Sequence, residues 1–242
     1  MKKLRWKIVL EDDDIIIVDK PAKLLTIPDR YDPNIENLFT SLKNYRTELY
    51  INHRLDKDTS GLILFSKNEE THKKMSELFE LRKIEKIYLA ILNNTPDILS
   101  GKIDMPIASS NSAKNGVRID PSGKHAISYY EVLESFRRHS LVKVKIETGR
   151  THQIRVHMKS IYCPLICDEI YGDGKAFLLS QIKVKYKKNR FEKERPLVDR
   201  VALHSHSLSF KHPNSGNLIK IESELPKDMK AALNQLRKNS KD

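Results

Sequence analysis

The chain has 242 residues, 39% of them hydrophobic, enough for one large domain or two small ones with a real core. Its formal net charge is +12 and its isoelectric point is about 9.5, which favours a polyanionic partner, most often a nucleic acid. No stretch of sequence approaches the roughly 18 uninterrupted apolar residues of a membrane-spanning helix, so we expect no membrane partner.

The cysteines and the start of the chain indicate a cytoplasmic protein. Two cysteines, Cys163 and Cys167, are too few for a disulfide framework in a chain of this size, and they favour a reducing compartment. The first ten residues are basic and then apolar, but the acidic run Glu11-Asp12-Asp13-Asp14 interrupts them too early for a signal peptide.

The first third of the chain predicts alternating strands and helices. The segment Asp14 to Val18, which contains Ile15-Ile16-Ile17, reads as a buried strand that is stopped by Lys20-Pro21. Apolar residues in the segment after Pro21 recur at helical spacing, and later apolar runs have the length of typical strands. The predicted elements are a short helix around Ile35, Leu38, Phe39 and Leu42, a strand over 62–66, a helix over 69–81 and a strand over 87–92.

The rest of the chain predicts mainly strands. The segment Gly101 to Gly123 is polar and rich in turn residues, and it is interpreted as a loop. Thr151 is expected near the N-cap of a short helix over 151–161, and Pro226 opens a final helix. The strands predicted in this part cover 126–133, 141–146, 201–210 and 217–222.

This order of elements indicates an α+β fold with a mixed, largely antiparallel sheet, flanking helices and loops. No repeat or change of composition forces a boundary, so we predict a single domain over 1–242, with a core of about 11–225 and a basic helix and tail at 226–242. The stretch Lys183 to Arg195 is dense in basic residues; it is interpreted as a solvated surface loop or hairpin, with a phosphate-contacting patch as the alternative.

A polar run directly before the predicted strand at 62–66 is the first candidate site. It reads His-Arg-Leu-Asp-Lys-Asp-Thr-Ser-Gly over 53–61 and places two carboxylates at the entry to a buried strand. Loops held by such rigid scaffolds often carry catalysis. Taken alone, Asp56 has two interpretations, a catalytic carboxylate or a residue that caps a turn, and Asp58 fits the capping role better.

A second polar run, Thr148 to His157, packs two arginines, two histidines and a glutamine around a glycine turn and a helix start. Arginines near a helix N-terminus suit an anion. Arg155 lies one helical turn beyond Thr151 and is the candidate partner of a buried Asp56. The alternative is a basic helix face that is open to solvent.

These runs, with four others in the same order, resemble the motifs of the RluA-type pseudouridine synthases. Two residues depart from the family pattern, Lys23 and Cys167, each where glycine is common; they affect loop geometry and no proposed catalytic group. Because the motifs begin almost at residue 1, the resemblance is to a stand-alone catalytic domain without an S4 RNA-binding domain. The four other segments are Val18–Ala22, Lys86–Ala90, Cys167–Gly172 and Ala202–His206 with His212-Pro213.

The resemblance implies that the protein isomerises uridine in RNA without a cofactor. The base would leave the sugar at nitrogen, turn and rejoin through carbon. Asp56 would be the essential carboxylate, acting as nucleophile or as base. Arg155 would keep Asp56 ionised and oriented, and Tyr88 would lie against the target base. Leu55 and Ile146 would form an aliphatic lining that excludes water.

The resemblance also implies an RNA-binding cleft across the middle of the sheet, into which the target base is flipped. Arg54 would fill the space that the base vacates. A stem-loop of ribosomal or transfer RNA is the expected partner, DNA is not, and a monomer is the default expectation. The residues assigned to RNA or base contacts are His53, Arg54, Leu55, Thr59, Gly61, Ile146, Arg150, His152, Gln153 and Lys20, with Lys211 as a further backbone contact.

Two other interpretations of the sequence concern a metal site and a protein that only binds RNA. The spacing of the histidines and cysteines does not match a familiar zinc site, so no metal is expected. An RNA-binding or ribosome-assembly protein without catalysis would suit the positive charge equally well. The presence of Asp56, Tyr88 and Arg155 together opposes it, because a protein that only binds RNA needs no such set.

Overall fold

The computed structural model describes residues 6–110, 116–186 and 193–239. The chain divides into two compact units, each assembled from two separate segments. The first unit comprises Met1–Ile87 and His204–Glu224, and the second comprises Tyr88–Leu203 and Leu225–Asp242. Each unit has strands and helices, and the strands form a mixed, largely antiparallel arrangement, as the sequence predicted. The single domain predicted over 1–242 stays a prediction.

The first unit is built on strands in the order β1-β2-β4-β11, with β3 on β4 and β12 on β11. The pairs β1–β2, β2–β4, β3–β4 and β11–β12 are antiparallel, whereas β4–β11 is parallel. Its elements are β1 (Lys7–Glu11), β2 (Ile15–Lys20), α1 (Leu38–Tyr45), β3 (Tyr50–Ile51), β4 (Ser60–Ser66), α2 (Glu69–Glu80), β11 (Leu203–Lys211) and β12 (Leu218–Glu222).

The central strands of the first unit are buried because their sequences are apolar on both faces. Every residue of β4 is buried, as are the four β-branched residues that open β2. Helix α2 begins where the Asn68 side chain accepts a hydrogen bond of 2.8 Å from the Thr71 amide, a standard N-cap. The helix buries Met75 in a core that contains Leu62 and Leu64.

The second unit contains strands in the order β5-β10-β9-β6 and a separate pair, β7–β8. Its last helix packs on the core through a stripe of apolar residues at helical spacing. Its elements are β5 (Glu85–Asn93), β6 (Ser100–Asp104), β7 (Ile107–Ser109), β8 (Val117–Ile119), β9 (Ile127–Phe136), β10 (His139–Ile146), α3 (Gln153–Ser160), a 3-10 turn (Leu179–Gln181) and α4 (Lys227–Asn239).

The prediction of a loop over Gly101 to Gly123 is wrong. The segment holds β6, β7 and β8, of which β7 and β8 pair antiparallel with Ile107 opposite Ile119. These strands have five, three and three residues and bury few apolar side chains, so no alternating pattern marks them in the sequence. These strands form because pairing with a neighbouring strand satisfies the hydrogen bonds of their backbone N–H and C=O groups.

Other boundaries differ in smaller ways. Helix α1 begins at Leu38, three residues after Ile35, because Asn37 caps it by accepting from the Thr40 amide at 2.9 Å. Helix α3 begins at Gln153 with His152 as its N-cap, so Thr151 lies just outside. Strands β1 and β3 were not predicted. In the basic stretch Lys183 to Arg195, residues 187–192 lie outside the described part of the chain.

Candidate active site

The Asp56 turn, residues Asp56 to Thr59, leads directly into β4 in the first unit. The Thr59 amide donates to the Asp56 carbonyl at 3.1 Å, which closes the turn. Thr59 is buried, Asp56 is half-buried and Arg54 is exposed. The turn therefore holds a partly accessible carboxylate at the end of a buried strand, as the sequence predicted.

Thr26 fixes the residue before Asp56. Its hydroxyl donates to the Leu55 carbonyl at 2.7 Å and accepts from the Leu55 amide at 3.1 Å. Thr26 and Leu55 are both buried, so water does not replace either bond. Thr26 is held in turn by the Phe39 amide of α1, which donates to the Thr26 carbonyl at 3.0 Å. No sequence motif pointed to Thr26.

Lys20 fixes the residue after Asp56. Its ammonium group donates to the Leu24, Pro21 and Lys57 carbonyls at 2.7, 3.0 and 3.2 Å. The residue has no exposed surface, although an RNA-backbone contact was expected from the sequence. A contact with a phosphate would require this buried set of bonds to break. We therefore assign Lys20 to holding the Asp56 turn.

Gly61 follows the Asp56 turn and has a φ of +108°, a backbone angle that residues with a side chain rarely adopt. It pairs with Ser205 of β11, and a Cβ at this position would lie 2.2 Å from the Ser205 carbonyl oxygen. Next to it, Ser60 Oγ and His204 Nδ1 are 3.0 Å apart and buried. Close backbone contact with β11 thus explains the glycine, for which a substrate contact was expected.

His53 lies just before the Asp56 turn and contacts β4, the strand that follows it. Its Nε2 accepts from the Leu64 amide at 3.0 Å, and its ring packs at 4.9 Å from the Phe79 ring. Burial, with a further contribution from the Lys86 charge, lowers the pKa of His53 to about 3. The imidazole is therefore neutral at physiological pH and acts as an acceptor for the backbone of β4. An RNA contact by His53 stays a prediction.

In the second unit, Arg155 forms a buried bidentate ion pair with Asp168. Arg155 Nε lies 2.7 Å from Asp168 Oδ2 and Nη2 lies 2.8 Å from Oδ1. The guanidinium carbon also lies 5.2 Å from the centre of the Tyr171 ring. Parallel hydrogen bonds fix the plane of a guanidinium group, so Arg155 presents its remaining N–H donors in a set direction.

Asp168 stays ionised although it is completely buried. Burial alone raises the pKa of this carboxyl, but hydrogen bonds and charge from Arg155 and the amides of Tyr171 and Ile170 outweigh it, and the pKa lies below its usual range. Sequence reasoning missed this role, although Asp168 belongs to the quoted segment Cys167–Gly172. The signal that could have indicated Asp168 is that an arginine predicted to be buried requires an acidic partner.

Tyr171 links the start of α3 to β8. Its hydroxyl accepts from the Val117 amide at 2.8 Å and lies 3.1 Å from His152 Nδ1. His152 has a left-handed backbone, with φ of 52°. The tyrosine bond helps to hold that conformation.

Gln153 organises the turn before α3. Its Oε1 accepts from Thr148 Oγ1 at 2.7 Å and from the Arg150 amide at 3.1 Å. Its Nε2 donates to the Ile127 carbonyl at 2.9 Å and to Ser128 Oγ at 3.1 Å. These four bonds use the full capacity of a buried amide. Gln153 therefore shapes the turn, and the expected RNA contact would require one of the bonds to break.

The remaining predicted residues of the second unit occupy different environments. Tyr88 is buried on β5, and Ile146 is buried at the end of β10. Arg150 is exposed, and its Nε donates to the His125 carbonyl at 3.1 Å. An RNA contact is compatible with Arg150, and an apolar lining is compatible with Ile146.

Each unit thus assembles one half of the predicted site. The first gathers its predicted residues around the turn that carries Asp56, and the second gathers its own around Arg155 at the start of α3. The expected pairing of Asp56 with Arg155, with Tyr88 facing them, joins residues of different units and stays a prediction.

One group of possible metal ligands occurs in the described part of the chain, in the first unit. Asp12, Asp14 and the buried His212 bring one ligand atom each within 4.8 Å of one another. His212 Nδ1, however, accepts from the amides of Asn214 and Ser215. The ring proton must then lie on Nε2, 3.3 Å from Asp12 Oδ2. A protonated nitrogen donates to carboxylates and cannot bind a metal.

Cys163 and Cys167 are buried and free, and burial raises the pKa of Cys167 to about 11. Among the described residues, no helix combines the length and apolar character needed to cross a bilayer.

Comparison with known proteins gives the family of this chain. Residues 14–160 match the model of the RNA pseudouridylate synthase family. The chain belongs to this family, and its class is that of the isomerases that convert uridine to pseudouridine in RNA. The resemblance stated from the motifs is confirmed.

Individual relatives agree along nearly the whole chain. The chain is 38% identical to ribosomal large subunit pseudouridine synthase D of Pseudomonas aeruginosa and 34% identical to that of Vibrio cholerae, in each case over 98% of this chain and 73% of the relative. Among solved structures, human RNA pseudouridylate synthase domain containing 4 superposes with a TM-score of 0.70 at 23% identity, covering 95% of this chain and 92% of that one. The structural likeness confirms the fold.

Proposed function

We propose that this enzyme isomerises uridine in large-subunit ribosomal RNA and acts in the cytoplasm. The RNA target is supported by the names of the relatives that match nearly the full chain, ribosomal large subunit pseudouridine synthase D. The observation that carries the proposal is the Asp56 turn, because a carboxylate so firmly held at a strand end suits a reaction that demands fixed geometry.

In the proposed reaction, Asp56 acts on the sugar of a flipped uridine as a nucleophile or as a base. The bond from the sugar to the ring nitrogen breaks, the base turns, and a bond forms to a ring carbon. That carbon then loses its proton and the freed nitrogen gains one, so the reaction balances without a redox partner. Tyr88 is proposed to lie against the base with its hydroxyl available for the proton transfer.

Arg155 is proposed to orient Asp56 in that reaction. Its bidentate bond to Asp168 fixes the guanidinium plane and leaves other N–H donors for a second carboxylate. A cation beside a carboxylate keeps the carboxylate ionised. Arg54, exposed beside the turn, is proposed to fill the stack when the base leaves it.

Replacing Asp56 with Asn tests the proposal. We expect purified Asp56→Asn to form no pseudouridine on unmodified large-subunit RNA in single-turnover assays while binding that RNA with unchanged affinity. Asp58→Asn is the matched control, since it changes a carboxylate of the same turn and should retain activity. Pseudouridine formation by Asp56→Asn at the wild-type rate would refute the catalytic assignment.

Mapping of pseudouridine in total RNA from cells with and without the gene tests the target. We expect one or a few large-subunit sites to disappear. Loss confined to transfer RNA would refute the ribosomal target and keep the enzyme class. No lost site, together with inactive purified protein, would favour the RNA-binding or ribosome-assembly function.

A further inference from the structure

A basic cavity lies in the second unit, apart from the residues assigned to catalysis. It has a volume of about 260 Å³ and is bounded by the turn between β9 and β10, the 3-10 turn and the end of α4. We call it the hairpin cavity. The polar side chains that matter for its chemistry are those of Arg137, Arg138, Lys183, Gln181 and Asn239.

The charge of the hairpin cavity is unbalanced. Among the described residues, three cationic side chains line it and no acidic side chain does. Within the described residues, neither Arg137 nor Arg138 forms an ion pair, whereas Arg237 on α4 pairs with Glu134 at 2.6 Å. Glu194, which does not line the cavity, accepts from the amide of the lining residue Ser180 at 2.8 Å. The cavity therefore favours an anion over any neutral ligand.

The backbone under the two arginines is well fixed. Phe136 pairs with His139, so Arg137 and Arg138 form a two-residue hairpin turn. The Arg138 carbonyl accepts from the Asn94 amide at 2.8 Å, and the His139 ring packs at 5.1 Å from the Phe177 ring. A short turn anchored at both ends presents two guanidinium groups together, which is the arrangement that binds a phosphate through several hydrogen bonds.

We propose that the hairpin cavity binds a backbone phosphate of the RNA substrate outside the segment that carries the target uridine. The inference rests on the proposed function, because it assumes an RNA substrate. Two exposed arginines beside a lysine are accessible to a polyanion. RNA is commonly recognised through its shape and backbone as well as through flipped bases. The cavity would then select for a folded RNA larger than a minimal stem-loop.

The double variant Arg137→Ala/Arg138→Ala tests this inference. We expect its affinity for a long fragment of large-subunit RNA to fall about tenfold at moderate salt, and the slope of log affinity against log salt to become shallower by about 1.5. Affinity for a short stem-loop and the rate at saturating RNA should not change. Lys73→Ala/Lys74→Ala is the control, since it removes two charges that are already paired with Glu69 and Glu70.

The outcomes separate the inference from the proposed function. Wild-type protein without activity on any RNA would overturn the proposed function, whereas active wild-type protein with unchanged long-RNA affinity in the double variant would overturn the inference alone. Calorimetry with inorganic phosphate distinguishes a free anion from RNA. If the double variant loses phosphate binding and keeps RNA affinity, the cavity binds a free anion and the inference is wrong.

Discussion

At the scale of single residues, Asp56 is held by three residues close to it. Thr26 binds the residue before it, Lys20 the residue after it, and the Thr59 amide its own carbonyl. A reacting group must be held to within a fraction of an ångström, and a small displacement has a large effect on rate. The positioning residues are therefore expected to affect turnover as well as stability.

Replacing Thr26 with Val tests this expectation. Valine keeps the shape but removes both hydrogen bonds to buried Leu55, so we expect a loss of about 2 kcal/mol in the free energy of unfolding. Because the Asp56 turn is then less well fixed, we expect the rate at saturating RNA to fall about tenfold with unchanged RNA affinity. Denaturant titration and single-turnover kinetics measure the two effects.

Thr26→Ser is the matched control, because it retains the hydroxyl and should restore most of the rate. A Thr26→Val protein that loses stability but keeps the wild-type rate would show that Thr26 acts on the fold alone.

The pair Arg155–Asp168 predicts a pH dependence of stability. The pKa of Asp168 is lowered in the folded state, so its contribution is fully present above the pKa of an unfolded aspartate, about 4, and disappears as the pH falls through the folded value. Asp168→Asn should cost about 3–5 kcal/mol at pH 7, because it leaves a buried arginine uncompensated. The difference from wild type should shrink toward pH 3.

Urea unfolding at pH 7 and pH 3 measures that difference. Glu131→Gln removes an acid from an ion pair in which both side chains are about half exposed, and it should have a small effect at both pH values. An Asp168→Asn penalty that is equal at both pH values would contradict the proposed ionisation.

The sequence allowed Asp56, Tyr88 and Arg155 to be proposed as site residues, because each belongs to a distinctive local motif, and their roles stay predictions. It did not reveal the residues that hold them. Thr26 is 29 residues from Leu55, and Asp168 is 13 residues from Arg155. Buried polar contacts over such separations depend on the fold, and local spacing does not encode them. For the same reason the sequence did not reveal the internal hydrogen bonds of Gln153 and Lys20, and RNA contacts by these two residues stay predictions.

At the scale of elements, the parallel pairing of β4 with β11 sets where the Asp56 turn ends. Gly61→Ala should disrupt it, since the new methyl group would lie 2.2 Å from the Ser205 carbonyl at a strained φ. We expect a loss of more than about 3 kcal/mol in the free energy of unfolding, or no soluble protein.

The variant Gly216→Ala separates the effect of backbone strain at positive φ from the effect of a steric clash with the new methyl group. This glycine also has a positive φ, +71°, but a Cβ there meets nothing within 4 Å, so we expect a loss of only about 1 kcal/mol. Thermal and denaturant unfolding of the two variants provide the comparison. Equal losses would show that the close contact with Ser205 does not matter.

Most long elements were predicted because their patterns are strong. The apolar runs of β2 and β4, the helical periodicity of α2 and α4 and the alternation in β9 and β10 all survive in the structure. The short strands β3, β7 and β8 were missed, because two or three residues are too few to show an alternation of apolar and polar side chains. Pairing with a partner creates such strands, and the partner is set by the fold.

At the scale of the whole molecule, the net charge of +12 predicts RNA binding that weakens steeply with salt. We expect the affinity for unmodified large-subunit RNA to fall at least tenfold between 50 and 200 mM salt, an estimate based on several phosphate contacts. Fluorescence anisotropy at a series of salt concentrations measures the slope. A salt-independent affinity would indicate recognition through bases alone.

The first unit contains residues from two distant parts of the chain, and this affects how the protein is made. His204 follows Ser60 by 144 residues, so at translation rates of roughly 5–20 residues per second the nascent Asp56 turn waits roughly 7–30 s for β11 to emerge. During that interval β4 lacks a partner along part of its edge. A chain released before residue 204 is made would therefore contain the complete catalytic motif but leave part of one edge of β4 unpaired, which makes it a substrate for chaperones.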